Sequence, residues 1–208
     1  MIKLRVAMAV LVVGVGVLTG CSSQPSGPAE KPQPKPPEFL SGRSAFQQLY
    51  VAAHGWKHDA QPFRLESQAT PDSNGQDGKS AVWRASFASA AGHTLKPYVW
   101  SGTSSPDAPD RGVSPGSENN YNPENASTLV FDIAYLKIDS DDALKVAQAH
   151  GGDKVLQKEP GTPVLYVLDW SGPTSQLVWH VYYGSVRGDT KLKVDVDAST
   201  GEFIHAEK

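Results

Sequence analysis

A pattern of histidine, glycine and tryptophan recurs in this chain at a spacing of 96 residues. His54-Gly55 precedes Trp83 by 29 positions, and His150-Gly151 precedes Trp179 by the same interval. The surroundings agree as well: Ala81 to Phe87 lies over Leu177 to Tyr183, and Ser89 over Ser185. Self-similarity at a fixed period is the mark of one structural unit used twice.

Local patterns give that unit a shape. Ser41 stands where a helix cap is needed, and Ala45, Phe46, Leu49, Ala52 and Ala53 follow at three- and four-residue steps before Gly55. In the second half, Asp139 or Ser140 can cap, and Asp141 and Asp142 suit the positive end of a helix dipole. There Ala143, Leu144 and Ala147 form the apolar stripe, with Gly151-Gly152 as the stop. Alternating or β-branched runs predict strands at 63–69, 81–88, 95–100 and 129–136, and again at 164–169, 177–184, 191–196 and 202–206. The expected class is α+β, with two tandem helix-plus-antiparallel-meander units packed as a pseudo-symmetric pair. One sheet running through both halves is the alternative.

The first residues carry an address. Lys3 and Arg5 precede an apolar run from Val6 to Leu18, too short to cross a bilayer that takes about 20 helical residues. Leu18-Thr19-Gly20-Cys21 follows, and the segment resembles a bacterial lipoprotein signal. That resemblance implies removal of residues 1–20 and acyl chains such as palmitate on Cys21, which anchor the protein to a membrane. Cys21 is the single cysteine of the chain, so no disulfide can form within one molecule. Ser22 and Ser23 follow it, and by analogy with enteric bacteria they imply an envelope location at the outer membrane, facing the periplasm. Residues 21–40 hold six prolines among Gly, Ser, Gln and Lys and read as an extended tether.

The remaining 41–137 and 138–208 form the two units, the first with a long loop at 101–128. Trp179-His-Val-Tyr-Tyr183, followed by Lys191 to Phe203 with its Val-Asp-Ala-Ser-Thr-Gly turn, resembles the PepSY domain family. The likeness covers about 139–207 and, more loosely, 41–136. It implies an extracytoplasmic module without catalytic residues that binds or inhibits other proteins, here an envelope partner.

Composition supports no other chemistry. Of 208 residues, 19 are basic and 22 acidic, and no basic stripe suggests nucleic acid. The six histidines are scattered, and only His54 and His58 stand at helical spacing, where Gly55 and Trp56 are expected to break the helix. Asp72 to Gly78 fails as a calcium loop because the glycine comes one position late and Trp83 occupies the twelfth place. No metal, cofactor or catalytic residue is therefore expected, and a hydrolase is the weakest reading. A small-molecule or glycan-binding lipoprotein is the alternative to a protein-binding one. Loops this long inside compact domains are functional or disordered. Within 101–128, Arg111 and Tyr121, with neighbouring Trp100, are the candidate partner-binding anchors, since aromatic and arginine side chains dominate interfaces.

Overall fold

The structure, a computed structural model, describes residues 35–208. The expected export signal 1–20, the expected lipid attachment at Cys21 and the expected tether up to residue 34 lie outside the described residues. The first half runs β1 (Leu40–Ser41), α1 (Gly42–Trp56), β2 (Gln61–Gln68), β3 (Lys79–Ser80), β4 (Val82–Ser89), β5 (Thr94–Ser101), β6 (Gly112–Pro115) and β7 (Asn119–Asn120). The second runs α2 (Ser140–Ala147), α3 (Asp153–Lys158), β8 (Val164–Ser171), β9 (Gln176–Gly184), β10 (Thr190–Asp197) and β11 (Phe203–Glu207).

These strands make one mixed helix-and-sheet architecture. Nine of them form an antiparallel sheet in the order β11-β10-β9-β8-β2-β4-β5-β6, with β7 also on β5, while β1 and β3 pair separately. The halves join edge to edge, where Arg64, Leu65 and Glu66 of β2 meet Asp169, Leu168 and Val167 of β8. The arrangement is thus the continuous sheet, and the helices shield only one of its faces.

Alternation along each strand decides what those helices bury. Leu65, Trp83, Phe87, Tyr166, Leu168, Trp179, Val181 and Val194 point to the helix side and join Ala45, Leu49, Ala143 and Ala147 in one core. Trp83 and Trp179 are fully buried with ring centroids 6.4 Å apart. Each indole N–H has a partner, Leu40 O for Trp83 at 2.9 Å and Ile138 O for Trp179 at 3.0 Å, as a buried indole requires.

The helix starts are shared. Ser41 does not cap α1 with its own hydroxyl, which instead donates to Asp139 Oδ2 at 2.7 Å. Asp139 Oδ1 accepts the Arg43 N–H at 2.9 Å and the Ser140 N–H at 2.7 Å, and Ser140 Oγ accepts the Gly42 N–H at 2.7 Å. One carboxylate therefore sits at the positive ends of two helices. Gly42 is required there, because a Cβ would lie 2.5 Å from the Trp179 ring.

Three expectations are corrected. Helix α1 continues through Gly55 to Trp56, and Gly151 kinks the second helix at φ 118° without ending it, since α3 resumes beyond. No strand forms at 129–136: Asp132 accepts the Ala134 N–H at 2.8 Å and turns the chain into a 3-10 helix at Ile133–Tyr135. A fourth meander strand adds to the free edge of β5, and that edge is taken by β6 and β7, so the fourth strand of the first half is β6, inside the stretch read as loop.

The short β2–β8 contact is braced from above. Val164 N donates to Asn74 O at 2.7 Å, Tyr166 Oη to Gly75 O at 2.6 Å, and Gln76 Nε2 to the carbonyls of Pro160 and Thr162. Gly75 has φ 73°, and a Cβ on it would meet Val164 O at 1.9 Å, so only glycine lets the first-half loop seat on the second half.

Candidate functional site on the uncovered sheet face

On the face opposite the helices, cross-strand pairing lines up Val99, Arg84, Glu66, Val167, His180, Asp195 and His205 across seven strands. Val167 is buried at the centre of this row, and charged side chains surround it. Arg64 donates to Glu66 at 3.0 Å and to Asp169 at 2.8 Å. Asp169 meets His180 Nε2 at 3.1 Å, and His180 Nδ1 meets Asp195 at 2.6 Å. Lys193 extends the chain, 3.5 Å from Asp195 and 3.1 Å from Glu207. The result is a ladder of alternating charge across five strands, β2, β8, β9, β10 and β11.

His180 is its hinge. Burial by itself would pull the imidazole pKa down, but hydrogen bonds to Asp169 and Asp195, with their charges, overcome it and hold the pKa at about 9. Both ring nitrogens then donate, so at neutral pH the ring is a cation without a lone pair for accepting a proton. Burial pushes the Asp195 carboxyl up, and the His180 bond and charge, with Lys193, bring it below its ordinary value. Beside them, burial raises the Tyr182 hydroxyl. Such a network holds alternating charge in fixed positions across the sheet face. Among the described residues, no group of three or more His, Cys, Asp or Glu side chains is arranged to hold a metal ion.

The residues singled out in the sequence fall elsewhere. Cys21 lies outside the described residues. Trp100 pairs with Trp83 and Val113, points into the helix-side core and is 3% exposed. Tyr121 is 7% exposed, its amide donating to His93 O at 2.8 Å, and burial raises its hydroxyl pKa. Neither ring is offered to a partner, because both fill the scaffold. Arg111 reaches outward but is engaged by the chain itself, donating to Lys35 O and Pro36 O. The segment 101–128 is therefore built into the fold through β6, β7 and Tyr121.

Period-two alternation marks His180 and Asp195, two of the ladder's seven members, as outward-facing. What alternation lacks is which strands are neighbours, and the β2–β8 join is what carries Arg64 to Asp169. On the helix side, Phe46, Tyr50, Ile133 and Leu136, with Arg43 and Asp139, line an open groove of about 440 Å³.

No protein-family model and no curated protein matches this chain. In architecture it is similar to a solved structure described as a "putative lipoprotein (CD1622)" from Clostridium difficile 630. The TM-score is 0.54 over 78% of this chain and 91% of that one, at 9% sequence identity, so the likeness is one of fold.

Proposed function

We propose that this chain is a lipoprotein of the cell envelope, anchored through Cys21 and carrying a non-catalytic module that binds a protein partner. The observation that carries the binding role is the uncovered sheet face with its fixed charge ladder from Glu66 to Glu207. The export signal, the Cys21 box and the Pro-rich tether support the anchor, and Ser22-Ser23 favours the outer membrane facing the periplasm. The partner is an envelope protein, a peptidase among the candidates, and binding needs neither cofactor nor nucleic acid.

The same reading takes the two halves as PepSY-like copies related by a pseudo-two-fold axis. It is supported by the indole bonds: Trp83 and Trp179 each donate to the carbonyl of the residue just before the cap of their own half's first helix. It is supported too by the mirrored strand orders, β2-β4-β5-β6 and β8-β9-β10-β11, either side of the join.

Mild crosslinking in the native envelope with mass spectrometry tests the binding face. Arg84→Glu reverses an exposed charge on the ladder side, and Val51→Glu alters the helix side as a control. Capture that survives Val51→Glu and drops about tenfold in Arg84→Glu supports the reading, a loss in the range of one interface hot spot. Equal capture by both variants places the contact elsewhere. Acyl mass on Cys21, lost in Cys21→Ser, tests the anchor in the same preparations.

A further inference from the structure

The tether does not simply end where the folded body begins. Its last residues, from Lys35, lie along the outside of the first half and are held at three successive points. The Arg111 guanidinium donates through one nitrogen to Lys35 O at 3.0 Å and through another to Pro36 O at 2.6 Å. Two residues on, Glu38 N donates to Gly102 O at 2.9 Å. Gly102 is required at that crossing, since a Cβ would stand 2.2 Å from Glu38 O. Leu40 and Ser41 then pair with Ser80 and Lys79 as β1.

The chemistry is matched. Proline has no amide N–H, so a Pro-rich segment such as Lys35-Pro36-Pro37 can offer only carbonyl oxygens over most of its length. A guanidinium, with five donors in a rigid fork, satisfies two adjacent carbonyls at once, which an ammonium cannot do with the same geometry. The segment that presents Arg111 is itself braced: Asp72 Oδ2 accepts from Thr103 Oγ1 and Ser105 Oγ, both at 2.5 Å.

We infer that Arg111, with Gly102, forms a docking site for the chain's own Pro-rich tether, which fixes the point at which the tether leaves the body. Its consequence for the membrane rests on the anchor proposed above. From Cys21 to Ser41 the chain has 20 residues and from Cys21 to Lys35 it has 14. At about 3.3 Å per extended residue, docking shortens the greatest reach from about 66 Å to about 46 Å. It also commits the β5–β6 side of the sheet as the side from which the lead departs.

The test uses the full chain in detergent, with hydrogen exchange of the Glu38 amide and the rate of Glu-C cleavage after Glu38 as readouts. Arg111→Ala is expected to raise both about tenfold while leaving the melting temperature within a degree or two, because the opening is local. Arg111→Lys is expected to recover less than half of the loss, for want of the fork. Unchanged exchange and cleavage in Arg111→Ala overturn the docking site. The Arg111 effect should be the same in Cys21→Ser, whereas acyl mass on Cys21 reads the anchor, so the two readings fail separately.

Discussion

His180 shows how one side chain ties three strands together. It stands on β9 between Asp169 of β8 and Asp195 of β10, with Arg64, Lys193 and Tyr182 around it. Its pKa in the folded protein, about 9, lies above the ordinary 6.5. A group raised in this way binds its proton more tightly when folded, so its contribution is complete below pH 6.5 and is lost as pH rises from 6.5 to about 9. The rise corresponds to about 3 kcal/mol, for a side chain 16% exposed. Urea unfolding at pH 6 and pH 9.5 should show that fall in the wild type and a much smaller one in His180→Gln. The variant keeps an amide able to bond one carboxylate but removes the titrating charge, so equal slopes in both proteins would sink the assignment. The alternation of Trp179-His180-Val181 made the outward position of His180 readable from the sequence. Its partners were not readable, because Asp169 and Asp195 are 11 and 15 residues away and become neighbours only through strand pairing.

At the scale of elements, the core strands and both helix starts were legible because period-two and period-3.6 patterns report which face is buried. Where reading failed, an element depended on room or partners elsewhere. The Leu129 to Leu136 run has the residue types of a strand, but the β5 edge it would extend is held by β6 and β7, and its Phe131 amide donates to Pro62 O at 2.8 Å instead. Gly112-Val-Ser-Pro115 looks like loop, yet an edge strand pairs on one side only and tolerates proline. Asp139 caps α2 as expected, and the cap of α1 failed in the same manner as the strand. Ser41 precedes α1 and has the right side chain, while the acceptor that holds the Arg43 amide is Asp139, 96 positions away. Asp139→Ala removes the bonds at both helix starts and should lower stability by about 2 kcal/mol, twice the usual value of one cap. Ser41→Ala, which removes one donor to that carboxylate and a bond to Ser44, should lower it by less than half as much. Thermal melts of the two variants decide the matter, and a larger loss in Ser41→Ala would return the cap to Ser41.

For the whole molecule the question is whether a body with a repeated plan folds as one unit or two. Direct pairing between the halves is brief, three residues of β2 against three of β8. Three further features cross the same line: the Trp83–Trp179 contact, the Asp139 carboxylate at both helix starts, and the Gly75 loop seated on Val164 and Tyr166. Each is a contact that neither half can make by itself, so loosening one half should release the other. Leu168, fully buried on β8, pairs with Leu65 on β2 at the join. Leu168→Ala should destabilise by about 2 to 5 kcal/mol through lost burial and the cavity left behind. Cooperative coupling requires amide exchange to accelerate in β4 of the first half as much as in β9 and β10 of the second, with one unfolding transition by every probe. Acceleration confined to β9 and β10 would show two bodies joined at a seam. The difference matters for the proposed binding face, since the charge ladder runs from Glu66 in one half to Glu207 in the other. Only a body that moves as one keeps the two ends of that ladder in register.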